Sequence, residues 1–280
     1  MSERVLAPWP LRLPADLTPS EVEARAQRVD ELGTRAQYGW GHSIDFGPFS
    51  KEGLLGDAYL WICGLLDAWE WWPKDLSGLH VADVGCYTGG ASALLASRGA
   101  EVVWAVDELP AHVEQATLLA QAFRLPNLRP VTETVYRLGG AIPRGTLDAC
   151  LFSGVLYHLS DMLVGLYALR ELLKPGGVLL VESNAVDDPE RSYANFGRFF
   201  AGMWWQPTTL CVKDLCEFMG FHDVEVRMYR ENRCLARAVR GEEPIPFRRG
   251  LNWPFEEMAD RKARSLDPSI MAPARLGPEP

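Results

Sequence analysis

The sequence predicts an α/β fold in which a mostly parallel β-sheet has helices on both faces. Val81, Ala82 and Val84 are apolar and mostly β-branched, as in a buried strand, and this stretch leads through a glycine-containing turn into a helical segment. Three further apolar strands, at residues 101–106, 146–153 and 178–182, alternate with segments of helical periodicity. Strands that alternate with helices in this way are typical of a parallel sheet.

Residues 1–75 are expected to form an arm and helices that cover the functional site. After a proline-rich start, a helix is expected that Ser20 can cap and that runs to about Leu32. Residues 38–50 contain many glycines and aromatic side chains, so this loop is expected to pack over a site or a core edge. A second helix is expected at residues 53–71.

The sheet domain is expected at residues 76–240. An insert at about residues 185–207 holds six aromatic side chains without helical periodicity, and we expect it to cap a pocket. Two strands around residues 230–233 predict an antiparallel hairpin at the sheet edge. Residues 241–280 are expected to form a tail with an amphipathic patch at residues 251–258. The remaining expected elements are helices at 91–98, 110–123, 161–173 (capped by Ser160) and 211–219, a short strand at 128–131, and a turn at 174–177.

Composition limits the class of protein. The 280 residues, 48% of them hydrophobic, are enough for one large domain with appendages. No apolar run reaches the ~18 residues of a membrane span, and no signal peptide is recognisable, so a cytoplasmic location is expected. A net charge of −9 argues against a broad nucleic-acid-binding surface but leaves a local basic groove open. Six cysteines without a C-x-x-C pair predict buried free thiols and no metal site. A monomer and a homodimer both fit the sequence.

Ligands of parallel sheets bind beyond the carboxyl ends of the strands. The turn after the first strand contains Gly85 and Gly89, which let the backbone approach a ligand, and the following helix offers N–H donors there. The next strand ends in Asp107, where an acid of a nucleoside-binding fold holds ribose hydroxyls. The alternative is a tight turn without a ligand. The order of strand, turn, helix, strand and acid favours the nucleoside site.

Several short motifs together resemble class I S-adenosylmethionine (SAM)-dependent methyltransferases. The resemblance implies a Rossmann-like sheet of seven strands whose last strand is antiparallel. Narrower motifs resemble the branch of tRNA wobble-uridine methyl- and carboxymethyltransferases and their small-molecule relatives. The broad motifs are D-V-G-C-Y-T-G and L-K-P-G-G-V-L-L-V-E-S, and the narrower ones are G-H-S-I-D-F-G-P-F, G-V-L-Y-H, W-W-Q-P-T, C-E-F-M-G-F and E-N-R.

The resemblance implies roles for individual residues, with SAM as cofactor and S-adenosylhomocysteine as product. Tyr157 and His158 would face the acceptor. An oxygen acceptor usually needs a base, for which His158 and then His42 are the candidates, each against a purely structural role. His80, His112 and His222 are expected to have no role. The expected cofactor-binding residues are Asp83, Gly85, Cys86, Tyr87, Gly89, Asp107, Glu108, Glu133, Thr134, Ser153 and Gly154, and the expected substrate-contacting residues are Trp204, Trp205, Arg233 and Tyr38.

One departure from the branch bears on the group transferred. Carboxymethyl-transferring members have a lysine before Gly-Pro-Phe that binds the cofactor's extra carboxylate together with a tyrosine and an arginine. Tyr157 and Arg233 match the latter two, whereas Phe46 stands in the lysine's place. A phenyl ring cannot offset the desolvation of a buried carboxylate. Ordinary SAM and methyl transfer are therefore predicted.

The leading prediction is a SAM-dependent methyltransferase that acts on an oxygen or nitrogen of a small molecule, in secondary metabolism. The first alternative is a tRNA wobble-uridine methyl- or carboxymethyltransferase. The second alternative is a non-catalytic, SAM-binding scaffold.

Overall fold

The computed structural model describes residues 5–198 and 202–242. In its N-terminal part, helix α1 spans Pro19–Arg35, strands β1 (Ile44–Asp45) and β2 (Ser50–Lys51) form a small hairpin, and helix α2 spans Ala58–Ala68. The predicted cap of α1 was wrong. Thr18 is the N-cap and forms a reciprocal capping box with Glu21, so the helix begins before Ser20.

The predicted start of α2 was also wrong, because the residues before it form a turn. The backbone N–H groups of Leu54 and Leu55 donate to the carbonyls of Trp40 and Gly41, which ties this stretch to the preceding loop. The helix therefore begins at Ala58 rather than at residue 53.

Seven strands form the central sheet, which confirms the predicted fold class. Its spatial order is β10-β11-β7-β6-β3-β4-β5. Only β11 runs antiparallel to its neighbours β7 and β10, so the terminal hairpin supplies the single reversed strand. The strands are β3 (His80–Val84), β4 (Val102–Asp107), β5 (Leu128–Thr132), β6 (Leu147–Ser153), β7 (Leu173–Asn184), β10 (Phe221–Arg230) and β11 (Arg233–Arg240).

Helices pack on both faces of the sheet, and the alternation of side chains along β3 divides the core. Val81 joins a cluster with Leu94, Leu119 and residues of α1 and α2, whereas Val84 joins a cluster with Leu166 on the other face. The sheet helices are α3 (Gly90–Ser97), α4 (Pro110–Ala122), α5 (Met162–Leu172) and α6 (Thr209–Phe218).

Two further predictions about element ends were wrong. Helix α5 begins at Met162 after Asp161, and no side chain caps it, so Ser160 is not its cap. Residues 174–177 do not form a separate turn, because β7 begins at Leu173, directly after the helix. The pairing of β6 with β7 shifts register there, so Gly176 and Gly177 lie in a bulge within the strand.

The insert contains strands β8 (Ala194–Phe196) and β9 (Trp205–Pro207), which pair antiparallel. Residues 199–201 of the insert, and the predicted tail with its amphipathic patch beyond residue 242, lie outside the described residues. Across residues 5–198 and 202–242, no helix combines the length and apolarity needed to cross a membrane. Within the same ranges, no group of three histidine, cysteine or acidic side chains could hold a metal ion.

Candidate active site

The glycine turn joins β3 to α3 in a backbone conformation that two glycines make possible. Gly85 and Gly89 have φ of +79° and +85°, in the left-handed region. A Cβ at Gly85 would stand 2.1 Å from a methyl of Val155, and one at Gly89 would stand 2.8 Å from Cβ of Ala116. Both glycines are therefore required by the close packing of the turn against its neighbours.

Asp107 links the end of β4 to this turn. Its Oδ2 accepts the backbone N–H of Tyr87 at 3.0 Å, and its Oδ1 accepts that of Leu109 at 3.0 Å. Tyr87 itself has a φ of +51°, which is unusual for a residue with a side chain and is stabilised by this bond. The predicted ribose acid thus also fixes the shape of the turn.

Two other predicted acids lie beneath and beside Asp107. Asp83 is buried and accepts the hydroxyl of Ser92 at 2.6 Å, so it anchors α3 from below. Burial raises the pKa of Asp83 to about 6. Burial, together with the charge of Asp107, also raises the pKa of Glu108.

Residues 38–43, here called the strap, lie directly over the glycine turn. The Tyr87 hydroxyl donates to the carbonyl of Tyr38 at 2.9 Å, and the N–H of Gly41 donates to the Thr88 hydroxyl at 2.7 Å. The Tyr87 ring packs so closely on Gly41 that a Cβ there would stand 2.1 Å from it. The strap therefore holds the turn in place from the N-terminal side.

His42 is part of the strap and caps α3. The Gly90 N–H donates to its Nδ1 at 3.1 Å, so Nδ1 carries no proton and Nε2 carries the ring hydrogen. The imidazole is buried against the Tyr59 ring at 4.7 Å. Burial, reinforced by the nearby His112, lowers the pKa of His42 to about 4. A basic role for His42 stays a prediction, and the geometry supports a positioning role for it.

His42 is expected to make folding stability depend on pH. Because its pKa falls from 6.5 when unfolded to about 4 when folded, unfolding takes up a proton between these values. Stability is then lost as the pH falls through that window, by roughly 3 kcal/mol at most. Urea unfolding at about pH 7 and about pH 4.5 should show a smaller loss for His42→Asn, whose amide oxygen can still accept the Gly90 N–H.

The matched control for this experiment is His222→Asn, since His222 is exposed beside Asp223. Its pH dependence should equal that of the wild type. An unchanged pH dependence in His42→Asn would contradict the assignment.

The acceptor side of the site surrounds the end of β6. Ser153 ends the strand, and Gly154 follows with a φ of +75°. A Cβ at Gly154 would meet nothing closer than the Tyr157 hydroxyl at 3.8 Å and Glu182 Oε2 at 3.9 Å. A methyl-sized group at Gly154 would therefore lie in ordinary van der Waals contact with Tyr157 and Glu182.

Arg233 joins these two side chains in a buried polar network. Its Nε and Nη2 each donate to Glu182 at 2.6 Å, and its Nη1 donates to the Tyr157 hydroxyl at 3.1 Å. The Tyr229 hydroxyl donates to the same carboxylate at 2.7 Å. Burial alone would lower the pKa of Arg233, but Glu182 raises it well above its ordinary value. Arg233 is thus charged, and its charge is already matched.

The insert covers the loop that carries Tyr157 and His158. The Trp204 N–H donates to the Tyr157 carbonyl at 2.9 Å, and the Trp205 indole donates to the Ser160 carbonyl at 3.1 Å. Nδ1 of the exposed His158 lies 2.9 Å from the carbonyl of Gly202. This contact places the ring proton on Nδ1 and leaves Nε2 as an acceptor, which is the tautomer that a general base needs.

Most of the predicted site residues lie in two groups. The first consists of the glycine turn with Asp107, and the second of Gly154, Tyr157 and Arg233. Both groups lie at the carboxyl edge of the sheet. Glu133, after β5, lies farther along that edge and accepts the N–H of Thr134. Tyr38 is half exposed at the outer side of the strap.

Three residues of this region were given no role by the sequence analysis. Glu182 was expected only at the carboxyl edge of the sheet, as an acid closing a buried strand, and Tyr229 was not singled out. The third is His112, which lies beside Asp107. No sequence signal pairs Arg233 with Glu182, since the two are 51 positions apart.

Comparisons with known proteins agree with this geometry. Residues 82–179 match the family model of a methyltransferase domain. The tRNA U34 carboxymethyltransferase of Idiomarina loihiensis is 28% identical over 188 residues, which cover 64% of this chain and 57% of the relative. This chain therefore spans less than two thirds of that relative's length.

Two solved structures share the fold. The [4+2]-cyclase SpnF has a TM-score of 0.56 at 14% identity, with 82% of this chain and 99% of that chain covered. The Burkholderia thailandensis 1,6-didemethyltoxoflavin-N1-methyltransferase, solved with its substrate and S-adenosylhomocysteine, has a TM-score of 0.52 at 21% identity. That match covers 86% of this chain and 97% of that chain.

The chain therefore has the fold of class I SAM-dependent methyltransferases, and residues 82–179 match a methyltransferase domain, for which SAM is the cofactor. Within the class it resembles the tRNA U34 carboxymethyltransferases, the branch that its motifs predicted. The name of these relatives supports the predicted tRNA alternative better than the leading prediction of a small-molecule acceptor.

Proposed function

We propose that the protein transfers a methyl group from SAM to an oxygen or nitrogen of its acceptor. The observation that carries this proposal is the common sheet edge on which the glycine turn, Asp107 and Gly154 lie. SAM, when bound, supplies a methyl group on a positively charged sulfur. Asp107 and Glu108 would hold its ribose, Glu133 and Thr134 would flank the adenine, and Ser153 and Gly154 would contact the methionyl end.

The chain's own residues would position the acceptor and exclude water. The insert contacts the loop that carries Tyr157, and the strap contacts the glycine turn, so both would help to cover the site. His158 would take the acceptor proton at Nε2, since Gly202 fixes its ring proton on Nδ1. Positioning of this kind can contribute several kcal/mol to the lowering of the barrier, ~7 or more where alignment is close.

Methyl rather than carboxymethyl transfer is supported by the surroundings of position 46. Phe46 is fully buried and stacks on Phe49 and Phe123 with ring centroids 4.7 and 5.3 Å apart, so its side chain is part of the core. The charge of Arg233 is matched by Glu182. A carboxylated donor would therefore bring a charge for which this site holds no uncompensated cation among its described residues.

Donor preference is expected to follow from this arrangement. In calorimetric titrations, SAM should bind at least about tenfold more tightly than its carboxylated analogue, because desolvation of the extra carboxylate is not offset. Equal or tighter binding of the carboxylated donor would contradict the assignment. S-adenosylhomocysteine serves as the control ligand, since it has neither group.

Two acceptor classes are supported by different observations. The relatives named tRNA U34 carboxymethyltransferase favour a wobble uridine of tRNA. The net charge of −9 and the didemethyltoxoflavin enzyme with the same fold favour a small heteroaromatic molecule. The [4+2]-cyclase with the same fold is the observation that supports a role without methyl transfer. The segmentation at residues 75 and 240, a cytoplasmic location and a monomeric or dimeric state remain part of the proposal.

One experiment separates these acceptors. The protein is incubated with methyl-labelled SAM and, in parallel, with total tRNA or with a small-molecule extract. Label in tRNA, with tRNA binding that weakens as salt is added, supports the wobble-uridine acceptor. Label in a small product supports the other class. No transfer in either mixture, despite bound SAM, would overturn methyl transfer and leave the scaffold reading.

A further inference from the structure

His112 lies in the wall of the expected nucleoside site. It is in the first turn of α4, and its side chain is only 6% exposed. Its Nδ1 lies 3.0 Å from Asp107 Oδ1, and its ring packs edge-to-face on Tyr87 with centroids 4.4 Å apart. The imidazole therefore lies between the acid that ends β4 and the turn that follows β3.

The other nitrogen of this imidazole has no polar partner. Nε2 of His112 is buried, and no atom of the described residues forms a hydrogen bond with it. Buried polar atoms in folded proteins are nearly always paired with protein, water or ligand, because an unpaired one costs free energy. An unpaired nitrogen beside Asp107 indicates that an atom beyond the described residues completes the bond.

We propose that His112 is a cofactor-binding residue whose Nε2 forms a hydrogen bond with a ribose hydroxyl of SAM. The inference rests on the proposed function, since it assumes that cofactor. The carboxylate of Asp107 already meets the N–H groups of Tyr87 and Leu109 as well as His112. A carboxylate has about four acceptor positions, so it has room for one more hydroxyl.

The ribose of SAM carries two neighbouring hydroxyls, so the second needs another partner. We assign this role to His112 Nε2, because the imidazole lies beside Asp107 and this nitrogen has no hydrogen-bond partner among the described residues. A hydroxyl can donate and accept. It therefore satisfies this nitrogen whether the nitrogen carries a lone pair or a proton.

The Tyr38 side chain lies near the His112 imidazole. Its ring lies 6.3 Å from His112 and is half exposed, and its hydroxyl accepts a bond from the Gln37 amide. The bond to Tyr87 uses the carbonyl of Tyr38, not its side chain. The hydrogen bond that ties residue 38 to the glycine turn therefore does not involve the Tyr38 ring.

The test is a double-mutant-type cycle, in which the His112 side chain and a ribose hydroxyl are removed singly and together and the binding affinities are compared. S-adenosylhomocysteine and its 2′-deoxy and 3′-deoxy analogues are titrated calorimetrically against the wild type, His112→Phe and the control His222→Phe, whose parent side chain is exposed. His112→Phe keeps a ring against Tyr87 and should bind S-adenosylhomocysteine about tenfold more weakly. Removing one of the two hydroxyls should lower the affinity of the wild type about tenfold, but it should lower the affinity of His112→Phe less than about twofold.

The outcomes separate this inference from the proposed function. Equal binding by His112→Phe and wild type, or hydroxyl losses of the same size in both, would overturn the role of His112 and leave the cofactor assignment intact. No binding of S-adenosylhomocysteine by the wild type would overturn both. If His112→Phe does not fold, His112→Gln takes its place. The inference would also be overturned if the wild type bound the 2′-deoxy and 3′-deoxy analogues as tightly as S-adenosylhomocysteine itself.

Discussion

Replacing Asp107 by alanine is expected to weaken S-adenosylhomocysteine binding at least about 100-fold. The change removes the acceptor of the Tyr87 and Leu109 N–H groups and of His112, so it loses the ribose contact and loosens the turn together. Hydrogen bonds to a charged group contribute ~1.5–3 kcal/mol each, and ~2.7 kcal/mol corresponds to 100-fold. Calorimetry on protein shown to be folded by circular dichroism measures the effect.

Asp148→Asn is the matched control for this variant. Asp148 lies at the opposite edge of the same sheet, where it accepts the His80 N–H at 2.8 Å and the Lys174 ammonium at 2.7 Å. Its loss should lower stability and leave cofactor affinity unchanged. Equal affinity losses in the two variants would mean that Asp107 acts only through general stability. Where Asp107→Ala fails to fold, Asp107→Asn provides the same comparison.

Replacing Arg233 by methionine is expected to destabilise the protein by about 3–5 kcal/mol, because it leaves a buried carboxylate without its partner. Glu182 is 1% exposed and receives two of the Arg233 N–H groups at 2.6 Å. The Tyr229 hydroxyl alone cannot balance its charge. Urea unfolding at neutral pH gives the change in the free energy of unfolding.

The double variant Arg233→Met with Glu182→Leu tests the cause of this loss. Removing the second charge should recover most of the stability, since an apolar pair of similar volume replaces a buried ion pair at little cost. A single variant destabilised by less than about 1 kcal/mol would show that the pair is effectively solvated. A double variant no better than the single would place the loss in packing rather than in charge.

The alternating strands and helices of the sheet could be predicted because the sequence encodes them locally. Each buried strand is a short apolar run, and each is followed by a turn or helix signal, so the alternation is visible without tertiary information. The reversed final strand followed from two strand-like segments around a tight turn. The errors lie at the ends of elements. Thr18 rather than Ser20 caps α1, and β7 begins at Leu173 without a turn after α5.

The candidate site was less accessible because its contacts join distant parts of the chain. Gly85 and Asp107 were predictable from their order along the chain. The pairing of Arg233 with Glu182, and the burial of Phe46 among aromatic rings, depend on tertiary packing. The presence of a histidine in the sequence also does not reveal which of its ring nitrogens forms a hydrogen bond. Nδ1 of His42 accepts a hydrogen bond from the Gly90 N–H, whereas Nε2 of His112 has no partner in the described part of the chain.

A crystal structure of the protein with S-adenosylhomocysteine tests the central claim most directly, namely that the carboxyl edge of the sheet binds the cofactor. The expected result is the ribose beside Asp107 and His112, the adenine toward Glu133 and the sulfur in front of Gly154. A nucleoside bound elsewhere, or a site that stays empty at saturating ligand with Tyr38 and Tyr87 closed over His112, would contradict the account.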